Sequence, residues 1–188
     1  MSMENQVNSV VKSATYHLWN IGRIRNCLPE SAAKLLIQSL VLTRLDYCNS
    51  LLAGITKNLM HKLQLTQNHA ARIITRTRRD QHITPVLRRL HWLPIPQRTD
   101  FKVSLLLFKC KADLAPCYLS DIVPLYEPSR SLRSQNLGLL QVPRYRLASY
   151  GGRSFVVYAT QLWNRLDMNV RNAPTVSTFK KVLKSRLW

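Results

Sequence analysis

Acidic residues are scarce in this chain: nine Asp plus Glu stand against 28 Lys plus Arg, a net charge of +19 over 188 residues. No two acids are adjacent and none share helical spacing, so the sequence offers no ready carboxylate pair for a two-metal catalytic centre. Glycine is also rare, with five in the chain. A glycine-rich phosphate loop is missing, as is a G-x-S-x-G nucleophile turn, and so low a count favours helices over an all-β fold. Cys27, Cys48, Cys110 and Cys117 are scattered. They form no C-x-x-C and no Cys/His spacing of a zinc site, and are expected as buried reduced thiols. His61 and His69 lack a partner ligand nearby in sequence, and His91 reads as packed in a proline-bounded turn. The longest apolar runs, Leu35-Leu36-Ile37 and residues 103–108, fall far short of a membrane span. The N-terminus lacks the basic-then-apolar pattern of a secretory signal. These absences lead us to expect a chain with no catalytic residues, no metal, no cofactor and no membrane partner, located inside the cell and not secreted.

What is present is a substantial apolar fraction, 46%, enough for a packed core and too much for a disordered basic tail. The cations concentrate in residues 71–98, which carry Arg72, Arg76, Arg78, Arg79, Arg88, Arg89 and Arg98, no lysine, and Asp80 as the one acid. Guanidinium groups packed this densely repel one another unless a polyanion lies nearby. Arg rather than Lys suits planar, bidentate contact with phosphate. A surplus of this size directs attention to RNA or DNA.

Periodicity predicts a mostly α protein, a helical bundle of about five to seven helices with a short β-hairpin in a Pro/Ser/Arg-rich connector. Val7, Val11, Ala14, Leu18, Ile21 and Leu28 form one stripe of a first helix over 1–28. A second helix over 30–52 is apolar almost all round and is expected in the middle of the core. A third, over 57–77, turns Leu59, Leu63, Ala70, Ile73 and Ile74 inward. Arg72, Arg76 and Arg79 fall at i, i+4 and i+7, a basic ridge on its outer face. A short helix over 85–90 precedes a fourth long one over 96–112, which buries Phe101, Leu105 and Phe108 and shows Arg98, Lys102 and Lys109 outward.

Residues 113–150 change character, with Pro116, Pro124, Pro128 and Pro143 among Ser129, Arg130, Ser131, Arg133 and Ser134. The expected hairpin there pairs 139–142 with 145–148. Helices follow over 154–166, with Phe155, Ala159, Leu162 and Trp163, and from Thr175, with Val176, Phe179, Val182, Leu183 and Leu187 inward. The organisation expected is a thumb-like helical region over 1–112, the connector over 113–150, and a C-terminal helical segment over 151–188 packing back. Trp92, Tyr145, Tyr150 and Trp163 have two readings, base-stacking aromatics flanked by cations or core anchors. The nucleic-acid-binding residues we single out are Arg72, Arg76, Arg79, Arg98, Lys102, Arg144 and Arg146.

Several strings in this chain resemble one family. Residues 45–52, Leu-Asp-Tyr-Cys-Asn-Ser-Leu-Leu, and 82–87, His-Ile-Thr-Pro-Val-Leu, followed by 90–95, Leu-His-Trp-Leu-Pro-Ile, are similar to runs found after the catalytic palm of non-LTR (LINE-type, jockey-like) retrotransposon reverse transcriptases. The likeness continues through Ala115-Pro116-Cys117-Tyr118-Leu119, Ser131-Leu132-Arg133-Ser134, Val142-Pro143-Arg144, Leu162-Trp163-Asn164 and residues 179–184. It covers nearly the whole chain from about Val10.

The resemblance implies a C-terminal, post-palm piece of an RNA-directed DNA polymerase, thumb helices included. The polymerase aspartates and the endonuclease would then lie upstream, with a palm domain as a further partner and a nuclear location. A thumb grips template and primer through their phosphates. Asp113, Thr160 and Asp167 depart from the family's usual Gly, Pro and Pro. Two alternatives stand beside this reading: an expressed retrotransposon relic without activity, and a helical protein-interaction module using the apolar stripe of the first helix.

Overall fold

The computed structural model describes residues 3–123, 126, 138–147 and 151–188. Among them the chain is mostly helical and forms no β-strand. It divides into two compact units, one ending at Arg98 and the other starting at Thr99. That boundary lies earlier than the residue-112 boundary expected from sequence.

In the first unit, α1 (Met3–Ile24) buries Val7, Ala14, Leu18 and Ile21, the expected stripe minus its half-covered members Val11 and Leu28. It packs chiefly against α4 (Lys57–Thr75), which also carries the contacts of α2 (Glu30–Ile37) and α5 (Ile83–Arg89). The stripe proposed as a bare interaction face is therefore used internally.

The second predicted helix is divided. After α2 comes a π-helical turn, Gln38–Leu42, then α3 (Thr43–Asp46) and a 3₁₀ turn, Asn49–Leu52. It is not buried all round: Ala33, Ile37, Val41, Leu42 and Leu45 are covered, whereas Leu35 is 68% exposed. The wider π turn shifts the helical phase, which lets the adjacent Val41 and Leu42 both face the core. Cys48 then takes a left-handed backbone (φ 51°) and ends the run, and Gly54 (φ 69°) opens the approach to α4.

A pair of glutamines fastens α4 to the proline-bounded turn. Gln67 is fully buried, and its Nε2 donates to the Leu93 carbonyl at 2.9 Å. Gln64 Nε2 donates to Gln67 Oε1 at 3.0 Å, while Gln64 Oε1 accepts from the Ile95 amide at 2.7 Å. The turn's backbone cannot pair with itself across Pro94 and Pro96, so side-chain amides satisfy it. Trp92, Leu93 and Ile95 are buried around this knot. His91 lies outside it, exposed and left-handed at φ 57°, so it is not packed in the turn as expected.

The second unit contains most of α6 (Ile95–Lys111), α7 (Cys117–Asp121), α8 (Phe155–Asn164), α9 (Met168–Arg171) and α10 (Val176–Leu187). The expected inward face of α6 holds at Phe108 and is otherwise out of phase. Val103, Leu107, Phe108 and Cys110 are buried, with Thr99 and Ser104 beside them, whereas Phe101 and Leu105 are only half-covered. Phe179 of α10 stacks on Phe108 (centroids 4.3 Å apart) and on Trp163 (6.2 Å).

The hairpin does not form among the described residues, and Ala148 of its second arm lies outside them. Leu140 is held by a side chain instead. Asn164 Oδ1 accepts its amide at 3.0 Å and Asn164 Nδ2 donates to its carbonyl at 2.8 Å. The neighbouring Leu139 carbonyl accepts from the Tyr126 amide at 3.3 Å. Trp163 Nε1 donates to the Gly138 carbonyl at 3.0 Å, which fixes the same segment from the next residue.

Of the cysteines only Cys110 is buried; Cys27, Cys48 and Cys117 are exposed, and all four are free thiols. No helix is long and apolar enough to cross a membrane, among the described residues.

Gln67→Ala removes the buried donor to the Leu93 carbonyl and leaves that carbonyl unsatisfied. The expected cost is about 2 kcal/mol, read as a lower denaturant midpoint for loss of the helical signal; an unchanged midpoint would sink this account of the turn.

Candidate polyanion-binding site

The arginines expected as a helical ridge form a hollow instead. Helix α4 stops at Thr75 because Arg76 adopts the left-handed conformation (φ 55°, ψ 28°) as its C-cap, its amide returning to the Arg72 carbonyl. For a side chain with a Cβ this backbone costs about 1–2 kcal/mol, and the chain then folds back rather than continuing. Arg79 therefore never reaches the third position of a ridge.

It arrives beside Arg72 by another route. Arg72 Nη2 donates to the carbonyls of Arg79 (3.3 Å) and Gln81 (2.9 Å), pinning the return segment against the helix end. The result is an open hollow of about 330 Å³ lined by Arg72, Arg76, Arg79 and His69, with Gly22, Arg25 and Asn26 on its far wall. No carboxylate lines it.

Arg25 makes this arrangement stable. It opens the 3₁₀ turn Arg25–Cys27 that follows α1, one turn beyond Ile21 of the buried stripe, and is 8% exposed. Its Nε donates to the Ile73 carbonyl (2.8 Å), Nη2 to Ile74 (2.7 Å) and Nη1 to Leu28 (2.6 Å). Two of these acceptors are final-turn carbonyls of α4, which have no partner within the helix. Arg76 Nη2 closes the circuit by donating to the Arg25 carbonyl at 3.2 Å.

A helix C-terminus carries roughly half a negative charge, and Arg25 alone more than offsets it. Arg72, Arg76 and Arg79 then stand as surplus positive charge. Arg72 Nε is buried with no hydrogen-bond partner, a donor the fold itself leaves unused.

His69 faces the same charges. Partial burial lowers its pKa from the ordinary imidazole value, and Arg79 and Arg72 lower it further. The imidazole is therefore neutral at neutral pH, and an anion placed in the hollow would favour its protonation. The site can hold oxyanions by charge-assisted hydrogen bonds. Among the described residues no three of His, Cys, Asp and Glu gather in a way that could hold a metal ion.

The other residues singled out from sequence are placed differently. Arg98 is ion-paired with Asp46 and largely covered, so its charge is already met and it adds little to a polyanion surface. Lys102 is exposed on α6, and Arg144 and Arg146 are exposed in the 138–147 segment; these three belong to the second unit. Trp92 and Trp163, 5% and 1% exposed, are core anchors and not stacking platforms. Tyr145 is partly exposed and lies over Gly151 and Gly152, where a Cβ on Gly151 would fall 2.7 Å from Tyr145 Cβ. Tyr150 and the Ser/Arg stretch 129–134 lie outside the described residues.

Arg25 and His69 are the site residues that sequence reasoning missed. The available signal was a cation one turn beyond the apolar stripe of α1, where burial demands a partner. Comparison of the chain with family models, with curated proteins and with solved structures finds no match.

Arg25→Ala strands the Ile73 and Ile74 carbonyls and leaves the α4 dipole uncompensated. A loss of about 3 kcal/mol is expected from charge-assisted bonds of this kind. Arg25→Lys should recover less than half of it, because one ammonium cannot span three acceptors. Thermal denaturation of the three proteins checks this, and equal stability of Arg25→Ala and the parent would refute the capping role.

Proposed function

We propose that this protein binds the phosphate backbone of RNA or DNA without reading its sequence, and that it does so without catalysis. The observation that carries the reading is the convergence of Arg72, Arg76 and Arg79 on one carboxylate-free hollow whose negative helix end is already compensated by Arg25. Elsewhere cations do find acids: Arg89 with Glu30 at 3.0 Å, Arg98 with Asp46, and Arg186 with Asp167. Surfaces without a polyanionic partner normally mix signs in this way, and the hollow does not.

The string resemblance set out above supports the same reading. On it, the chain is the post-palm part of a non-LTR retrotransposon RNA-directed DNA polymerase, and the hollow grips template or primer for an upstream palm in the nucleus. A role for Lys102, Arg144 and Arg146 as additional phosphate contacts belongs to this proposal.

The expected signature is electrostatic. Affinity for a nucleic acid should fall linearly on a log–log plot against salt. Changing Arg76 and Arg79 to Glu removes two phosphate contacts and should flatten that slope by about 1.4 for single strands. Filter binding or anisotropy across a salt series checks it. A parent protein whose binding is indifferent to salt would remove the proposal, and an unaltered slope in the variant would remove the hollow from it.

A second reading, a protein-interaction module, is favoured by a different place. Met3, Val7, Val10, Leu45, Tyr47, Cys48, Leu51 and Leu52 help line an apolar cleft of about 190 Å³, with Tyr47 75% and Leu51 63% exposed. If this cleft receives another chain, Leu51→Glu should abolish concentration-dependent association in sedimentation while leaving the helical signal intact; a parent that stays monomeric at all concentrations counts against self-association there.

A further inference from the structure

The exposed side of α1 carries a second feature, one that neither the hollow nor the core accounts for. Lys12, Tyr16, Trp19 and Arg23 are all exposed and follow one another at steps of four, three and four residues. At about 100° per residue they fall within an arc of roughly 60°. This arc is opposite the stripe that buries Val7, Ala14, Leu18 and Ile21.

Two large aromatics left in water on one helix face are unusual, Tyr16 at 62% and Trp19 at 58% exposure. Both are framed by cations, with no acid on the stripe. Arg23 already lies over the Trp19 ring, its guanidinium carbon 4.8 Å from the centroid, which limits the orientations open to the indole. His17 meets Tyr16 edge-on at 5.5 Å. The stripe leads to the hollow: Gly22, beside Arg23, and Asn26, one turn on, both belong to the hollow's wall.

We propose that this stripe is a stacking platform for unpaired bases, so that the first unit takes a single strand whose phosphates enter the arginine hollow. The chemistry is complementary on both counts. Bases stack on indole and phenol rings whatever their sequence, and flanking cations follow the backbone. A paired duplex keeps its bases inside and gains nothing from Tyr16 or Trp19. The platform thus converts general phosphate affinity into a preference for single strands. This inference rests on the phosphate-binding reading and specifies its substrate class.

The test compares a fluorescent oligothymidylate with the matching thymidylate–adenylate duplex, using the full chain. Trp19→Ala should weaken single-strand binding about tenfold, within the range for loss of one stacked base, and change duplex binding less than twofold. Trp19→Phe should restore most of the loss, and Tyr16→Ala should act in the same direction. The salt slope of Trp19→Ala should match the parent, because no phosphate contact is lost. The side chains are exposed, so circular dichroism should show all variants folded.

The platform is overturned if Trp19→Ala and Tyr16→Ala leave single-strand affinity within twofold of the parent, the result expected if the stripe serves a protein partner. It is also overturned if they weaken both probes equally. In either case the hollow stands as long as Arg76→Glu with Arg79→Glu still lowers duplex affinity and salt slope. A parent that binds neither probe removes both the platform and the phosphate reading.

Discussion

Arg25 donates to three main-chain carbonyls at once, and two of them are the last acceptors of α4. A helix end facing a neighbouring helix must either be solvated or be capped, since an unpaired buried carbonyl costs about as much as a lost hydrogen bond. By placing a guanidinium there, the chain caps α4 from the turn that follows α1 and ties together the two helices that pack most extensively in the first unit. It also changes the sign of the local field. Without Arg25 the hollow would begin from a negative helix terminus, and three arginines there would be ordinary dipole partners. With it, they are in excess.

That excess is maintained by geometry and not by proximity in sequence. Arg76 spends one amino group on the Arg25 carbonyl and Arg72 spends one on the return segment. Each remains multivalent, since a guanidinium carries five N–H donors. Using part of that capacity for structure immobilises the side chains, so less entropy is lost when a phosphate arrives. The same tethering keeps like charges close together, at a cost in self-repulsion that a bound polyanion would relieve.

How much of this was legible in the sequence depends on whether a residue's role is local. The α1 stripe could be read because a long amphipathic helix imposes its own period, and Val7, Ala14, Leu18 and Ile21 obeyed it. The burial of Trp92 and Trp163 was one of two readings, and packing decided between them. The arginine ridge failed because helix termination at residue 76 has no glycine to announce it. The left-handed residue is held instead by its amide on the Arg72 carbonyl and by the tertiary bond from its side chain to the Arg25 carbonyl. The α2 region failed for a similar reason, since a π turn shifts phase by packing and leaves no compositional mark. For α6, Thr99 and Ser104 are buried polar groups, and a count of apolar residues alone rotates that helix the wrong way. In the segment expected as a hairpin, the described residues show a side-chain pairing that no periodicity announces, the Asn164 amide matching both backbone groups of Leu140.

The candidate site has a consistent chemical character. The hollow gathers the guanidinium groups of Arg72, Arg76 and Arg79 with Asn26 and His69 and no carboxylate, and the flank of α1 offers two exposed aromatic faces; the reading proposed above gives the first to phosphate and the second to stacking. Both interactions tolerate any sequence, and both weaken in a predictable way, the first with salt and the second with loss of ring area. Arg23 connects the two, because its guanidinium rests on Trp19 while Gly22 beside it lines the hollow. On the proposed reading, a strand stacked on the indole would bring its next phosphate toward the charges gathered around Arg25. Binding in this form would meet Arg72 and Arg76 already tethered to main-chain carbonyls and Arg23 already resting on Trp19, so those groups would lose less freedom than untethered ones.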